Sequence, residues 1–283
     1  MLRVFIKPYS YTNDPLYKKT NPFIVDFKFD QKKADLQFDR VVNKFKNVYI
    51  YFLPEIKNKN LSDIIFAASA GVCLPRLPDS LVILPNMKYL HRKQELKYIK
   101  DMYKQLNVKT IQFPLVSDAP FEGQAEIKWF HNGTKAICGY GYRSTLKSFK
   151  ILNKLLKKIY LQNNITPPEL LILPLKSEYY YHLDLAMLEF DNEKCIIHKD
   201  AFSAESTIKI QNFLGKSNVY IIKTEEHFCL NSVIDGDNLI TCKLLKHTKN
   251  ILENITKRRI IEVNVSEFQN SGGSVRCMCL DLF

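Results

Sequence analysis

Residues 127–175 read IKWFHNGTKAICGYGYRSTLKSFKILNKLLKKIYLQNNITPPELLILPL. Two β-rich runs, IKWF (127–130) and KAICGY (135–140), precede a helical pattern in which Leu146, Phe149, Leu152, Leu155, Leu156 and Ile159 share one face. Ser144 is a good N-cap for that helix, and a third run, LLILPL (170–175), follows it. The order is strand, strand, helix, strand. Helical periodicity recurs over 31–45 (Leu36, Phe38, Val41, Val42, Phe45) and 92–106 (Leu96, Ile99, Met102, Tyr103, Leu106). It returns after Ser203, with Ser206 as a competing cap, and again from Lys246 to Ile255. Strand signals fill the gaps: MLRVFIK breaking at Pro8, then 48–53, 63–74, 81–85, 195–198, 219–223, 238–244 and 259–265. Helices therefore start at intervals of about 45 to 60 residues, each flanked by strands, which predicts a repeat-like α/β array. One domain of five modules over residues 1–283 is the expected organisation; a doubly wound sheet is the alternative.

The chain has 283 residues, 46% of them hydrophobic, so a disordered chain is excluded. No apolar run approaches the roughly 18 residues a membrane span needs, and no secretory core follows the start. Seven widely scattered cysteines, an odd number without a CxxC pair, read as reduced thiols of a cytoplasmic protein. The six histidines are isolated, which predicts no metal and no cofactor. A net charge of +12 comes mostly from single lysines among Asn, Tyr and Ile. Without an arginine-rich stripe it argues for solubility, not for a specific nucleic-acid partner. A homo-oligomer stays open.

Four segments could carry chemistry. Asn270-Ser271-Gly272-Gly273-Ser274 leads into Cys277, which would stand at a strand edge, and nearby Arg276 could depress its pKa; such a cysteine also reads as a small core residue. In Tyr181-His182-Leu183-Asp184, a strand would put His182 and Asp184 on one face, as proton shuttle and cation holder; a satisfied core histidine is the alternative. Glu122 and Glu126 flank Gly123 and could bind cationic nitrogens. Arg143, just before the helix cap, could grip a carboxylate.

Taken in order, Glu, His-x-Asp, Gly-Gly and Cys resemble the pentein (guanidino-group-modifying) superfamily, which includes arginine deiminases, dimethylarginine dimethylaminohydrolases and glycine amidinotransferases. FAASAGVCLP (66–75), FEGQAEIKW (121–129), GYGYRS (139–144), YHLDLAM (181–187) and SEFQNSGGSVRCMCLDL (266–282) are similar to segments of its dihydrolase-like and dimethylarginine hydrolase-like members, and Thr20-Asn21-Pro22-Phe23 to an N-terminal Asn-Pro motif. The resemblance implies a five-bladed α/β propeller of ββαβ-type modules around a polar channel. It implies Cys277 as nucleophile, His182 as general acid/base, and Glu122 and Asp184 as guanidinium clamps. Arg143 and Arg92 would hold a substrate carboxylate, with Asn21 and Asn231 near the site. The implied activity is a cysteine-dependent amidinohydrolase acting on a small guanidino or amidino substrate through an S-alkylthiouronium intermediate. Ser69 stands where the family has Asp or Asn, and Glu126 where it has Asp, so the substrate could differ from arginine. An amidinotransferase or a non-catalytic guanidine binder is the other reading.

Overall fold

A computed structural model describes residues 1–12, 19–55 and 61–283. Its first unit is β1 (Leu2–Lys7), α1 (Gln31–Val42) and β2 (Val48–Phe52). The second is β3 (Val72–Cys73), β4 (Leu81–Leu84), α2 (Leu90–Lys93), α3 (Leu96–Gln105) and β5 (Lys109–Gln112). The third holds β6 (Ile127–Phe130), β7 (Lys135–Tyr140), α4 (Leu146–Gln162) and β8 (Glu169–Pro174). A short α5 (Leu183–Ala186) introduces β9 (Met187–Phe190), β10 (Lys194–His198), α6 (Ala204–Leu214) and β11 (Val219–Ile222). The last elements are β12 (Val233–Asp235), β13 (Asn238–Cys242), α7 (Lys246–Thr256), β14 (Arg259–Val263), α8 (Ser266–Asn270) and β15 (Leu280–Leu282).

The strands form five three-stranded sheets, β3-β4-β5, β6-β7-β8, β9-β10-β11, β12-β13-β14 and β15-β1-β2. In every sheet the middle strand is antiparallel to the first and parallel to the third. A parallel pair needs a crossover, and the principal helices supply it. The fifth sheet takes its first strand from the far end of the chain: Leu2 pairs with Leu282 and Val4 with Leu280. The two ends of the sequence thereby close the array, and first strands of neighbouring sheets touch, β15 against β3 and β6 against β9.

Helix α4 buries Phe149, Leu152, Leu156 and Ile159 against Phe113, Phe121, Ala136 and Cys138. Burying each such Leu or Phe contributes about 1.5–3 kcal/mol. Thr145, not Ser144, caps this helix: its side chain accepts from Ser148 N at 3.2 Å while Ser148 Oγ accepts from Thr145 N at 3.1 Å. Ser144 Oγ instead accepts from the Glu122 amide at 3.1 Å. Ser203 wins over Ser206 as the cap of α6.

Two other expectations change. The helix foreseen over 92–106 breaks into α2 and α3, because Gln94 N and Glu95 N bond to His91 and Arg92 carbonyls three residues back. The strand foreseen over 63–74 survives only as Val72–Cys73. Its first part is a chain of turns with a 3-10 helix at Ala67–Ser69, buried on all sides, so an apolar run there reports burial and not pairing. Among the described residues no helix is long and apolar enough to cross a membrane.

Candidate active site

Each sheet's first strand is entered from a segment that carries a predicted site residue. Ser69, Asp184 and Cys277 each stand three positions ahead of β3, β9 and β15, Asn231 two ahead of β12, and Glu126 directly ahead of β6. Since first strands lie together, these entries converge on one cavity. Seven of the predicted residues line it: Asn21, Ser69, Arg92, Arg143, His182, Asp184 and Cys277. Glu122, Glu126 and Asn231 are fully buried behind it. Gly123 makes the crossing of two entries possible. It has φ +65°, and a Cβ there would lie 2.7 Å from the Gly71 carbonyl oxygen.

Cys277 lies in a turn ahead of β15, not on a strand edge. Asn231 holds it twice, donating from Nδ2 to Sγ at 3.1 Å and accepting the Cys277 amide on Oδ1 at 3.1 Å. The thiol faces Asp184 Oδ2 at 3.7 Å, and Ala68 N donates to the Cys277 carbonyl at 2.9 Å. Burial pushes the thiol pKa up, and the Asp184 charge adds to it against the Asn231 hydrogen bond. This reverses the expectation of a thiol activated by Arg276. That guanidinium forks onto Asp281 at 3.1 and 2.9 Å, where Arg3 also pairs. Cys279 packs in the same layer, its thiol pushed up to about 12 by burial and by Asp281.

His182 and Asp184 do not share a strand. His182 is the extended residue before α5 and Asp184 lies in that helix's first turn, yet both reach the cavity. His182 Nε2 meets Glu122 Oε2 at 2.8 Å, and Arg143 Nη1 donates to the same oxygen at 3.1 Å. Burial alone would raise the Glu122 pKa; Arg143 and His182 overcome it and hold the carboxyl well below the usual range. An ionised Glu122 makes Nε2 the protonated nitrogen of neutral His182, leaving Nδ1 as the base. Burial lowers the His182 pKa despite Glu122. Glu126 accepts from the Ser144 and Leu183 amides at 3.1 and 3.3 Å, and burial, then the Glu122 charge, raise it well above the usual carboxylate range.

Asp184 is the exception among these acids. It is fully buried, burial raises its pKa, and Oδ1 has no hydrogen-bond partner. Both predicted carboxylate-holding arginines are already engaged. Arg92 gives Nε and Nη2 to the two Glu95 oxygens at 3.0 Å each, and Arg143 gives Nη2 to the Thr20 carbonyl at 3.1 Å. Asp63, Phe66 and Tyr181 also line the cavity; Phe66 and Tyr181 open two of the family-like segments (66–75 and 181–187) without a predicted role, and Asp63 lies outside them. Asp63 Oδ2 lies 3.2 Å from His91 Nε2; an acid opening the apolar run Ile64-Ile65-Phe66 was its one signal. Asn21 Nδ2 donates to the Tyr181 hydroxyl at 3.1 Å and the Gly272 carbonyl at 3.0 Å, and Tyr181 donates to that carbonyl too. The glycine turn ahead of Cys277 is thus tied to the N-terminal segment.

A buried thiol, a histidine with a fixed tautomer and a partnerless carboxylate oxygen around one cavity suit a nucleophile working on a cation. A family model described as N,N dimethylarginine dimethylhydrolase, eukaryotic, matches residues 13–283. The chain belongs to this family. It is 25% identical over 257 residues to the bifunctional arginine dihydrolase/ornithine cyclodeaminase ArgZ of Synechocystis, covering 89% of this chain but 34% of that protein. An uncharacterized protein of Caenorhabditis elegans is 26% identical over 263 residues, covering 89% of this chain and 85% of that one. The product-bound N-terminal domain of ArgZ superposes with a TM-score of 0.82 at 23% identity, over 98% of this chain and 96% of that one. A dimethylarginine dimethylaminohydrolase carrying an S-methyl-L-thiocitrulline adduct gives 0.71 at 18% identity, with 100% of both chains covered. These likenesses show the fold: five small sheets in the five-module α/β arrangement of the penteins. Within this family the expected chemistry is hydrolysis at a guanidino group.

Proposed function

We propose that the chain is a cysteine-dependent hydrolase of a small guanidino compound, of the arginine dihydrolase or dimethylargininase type, working as a single domain in the cytosol. The observation that carries this reading is Asp184 Oδ1, buried and without a partner, on the carboxyl group whose other oxygen is 3.7 Å from the Cys277 sulfur. A buried acceptor left unsatisfied costs about 1–3 kcal/mol, and a guanidinium N–H supplies what is missing. Ammonium would do so as well, but a guanidinium or amidinium also brings an electrophilic carbon to the sulfur. The seven free, buried cysteines fit a reducing compartment.

The resting site holds a neutral thiol and a neutral imidazole. A guanidinium docked on Asp184 cancels the charge that keeps the thiol protonated, and the proton passes to His182 Nδ1. The thiolate attacks the central carbon. The imidazolium then protonates the departing nitrogen, the C–N bond breaks, and an S-alkylthiouronium remains on Cys277. His182 next takes a proton from water, which adds to the same carbon and expels the thiolate. Glu122 contributes by holding His182, with Arg143 keeping Glu122 ionised, so its part is positioning more than clamping. Ser69 stands on the cavity wall, where its uncharged hydroxyl leaves the guanidinium to Asp184.

Peptide-mapped mass spectrometry after brief exposure to chloroacetamidine tests the reading. Cys277 is expected to react selectively and to be protected by L-arginine, and Cys277→Ser to abolish release of ammonia while remaining folded. Ammonia release by that variant, or equal labelling of all seven cysteines, would refute it.

A further inference from the structure

Three consecutive side chains hold the turn that presents His182, each by a different element. His182 Nε2 meets Glu122, ahead of β6, at 2.8 Å. Tyr181 reaches Asn21 of the N-terminal segment and the Gly272 carbonyl ahead of β15. Both of these contacts run across the ring. Tyr180 instead fastens the turn to its own sheet: its hydroxyl donates to His198 Nδ1 at 2.6 Å, and His198 ends β10. The Asp200 amide donates to the same nitrogen at 3.2 Å. Nδ1 is therefore the bare nitrogen. Nε2 carries the hydrogen and donates it at 2.9 Å to the Thr224 carbonyl, just past β11.

Tyr180 and His198 are both buried. Burial raises the Tyr180 pKa, which keeps its hydroxyl a donor, and lowers that of His198. A second proton on His198 would place an N–H against the Asp200 N–H and force the Tyr180 hydroxyl to reverse. Among the titratable groups around the pair, the Asp200 carboxylate favours that proton. The His227 ring, 6.4 Å from His198 between centres, opposes it when charged, and the Cys229 thiol lies near Tyr180. His227 also stacks on Tyr179 at 4.8 Å and meets Tyr180 edge-on at 5.7 Å, so the turn is packed as well as bonded.

The Glu122 contact fixes one end of the His182 ring. Nδ1, which has to reach the Cys277 proton, is aimed by the backbone that Tyr180 anchors two residues earlier. We infer that His198, in its neutral form and through the Tyr180 hydroxyl, is a positioning residue that aims His182 Nδ1 at the reacting atoms. The inference rests on the hydrolase reading above, which makes His182 the base.

The test pairs ammonia release from L-arginine by the full chain with imidazole 15N NMR of its six histidines, both well below each variant's melting temperature. Tyr180→Phe, which removes one oxygen, and His198→Leu are each expected to lower kcat about tenfold and to change KM by less than about twofold, because the guanidinium docks on Asp184 and not on His182. His198→Asn keeps an acceptor near the Nδ1 position and should recover most of the loss. In the spectra, the His182 ring should lose its single Nε2-protonated form in Tyr180→Phe and keep it in His198→Asn. An unchanged kcat in Tyr180→Phe, a loss that His198→Asn does not recover, or the same His182 spectrum in every variant would overturn the positioning role. A parent chain that releases no ammonia refutes hydrolysis of this substrate, and the His182 spectra then decide the inference alone.

Discussion

Replacing Asp184 by asparagine should make Cys277 more reactive toward a neutral reagent and less reactive toward a cationic one. The sulfur lies 3.7 Å from Oδ2. Two unit charges about 4 Å apart interact by about 4 kcal/mol at an effective dielectric near 20. At 1.36 kcal/mol per pKa unit this sets a ceiling of about three units on the removable shift. Burial raises the Asp184 pKa, so the group carries less than its full charge over part of the pH range. The drop expected in the variant is then about one to two units. A thiolate of lower pKa is also a weaker nucleophile, which returns about half the gain. The net expectation is a roughly three- to tenfold faster reaction of Cys277 with iodoacetamide at neutral pH. Chloroacetamidine, which uses the carboxylate to dock, should lose at least about tenfold. The assay is the pH dependence of both alkylations, followed at the Cys277 peptide. An iodoacetamide profile with an unchanged or higher midpoint would refute the reasoning, because it would mean that Asp184 does not set the state of the thiol. Stability gives an independent check with a definite sign. The folded pKa of Asp184 is raised above its ordinary 3.8, so stability falls as pH rises from that value through the folded pKa. The asparagine variant lacks this loss, and its melting temperature should exceed the parent's increasingly across that interval.

Asn231→Ala strips Cys277 N of its acceptor and Asp184 O of a 3.3 Å donor; a loss of about 2–4 kcal/mol in denaturant unfolding and slower alkylation are expected, and a loss under about 1 kcal/mol would show that Asn231 does not support the turn. In Gly272→Ala the new Cβ, at φ +93°, would sit 2.1 Å from Asn21 Nδ2. It should cost about 2–3 kcal/mol, and Asn21→Ala in the same chain should recover part of that, a coupling readable in a double-mutant cycle. On acidification, unfolded chains protonate the histidine first, since burial lowers folded His182 below 6.5. Glu122 and Asp281 are held below the usual carboxylate range by their arginine partners in spite of burial, and their stabilisation is lost as pH falls through their folded pKa values. A melting temperature flat from neutral pH down to about 4 would contradict the histidine assignment, and one that stays flat below about 4 would contradict the carboxylate assignments.

How much of this was legible before folding follows from what each signal measures. The helices were visible because their faces are long: α1, α4, α6 and α7 begin within a few residues of the expected positions, and the spacing repeated often enough to reveal the modules. Strands β5 (KTIQ), β9 and β12 carried no signal, being three or four residues long and in part polar, and the strand expected around Cys277 forms only three residues later, as β15. Short runs of that kind pair because a neighbour's register demands it, which no local pattern records. The nucleophile was visible through Gly272-Gly273, yet its electrostatics were not. Arg276 is adjacent in sequence but spends its charge on Asp281, and the acid that governs the thiol is Asp184, ninety-three positions away. Asp63 and Tyr181 carried no predicted role because their partners are distant in sequence, His91 for Asp63 and Asn21 with Gly272 for Tyr181.

Those contacts explain why the site can exist only in the finished ring. One module offers its cavity-facing entry segment at most two of the groups that the chemistry uses, and a buried group without partners from the next module would cost more than it contributes. His182 needs Glu122 from the preceding module, and Cys277 needs Asn231 from the one before it. The last requirement is the most distant: Cys277 is positioned by a turn that runs into β15, and β15 has no sheet until it pairs with β1. Arg3 and Asp281, 278 positions apart, form their ion pair at that junction beside Arg276 and Gln124. Closing a loop costs entropy that grows only as the logarithm of its length, so a seam between the two ends is not prohibitively expensive once the other four sheets are in place. The thiol is held beside Asp184 and Asn231 only after the first and last strands have met.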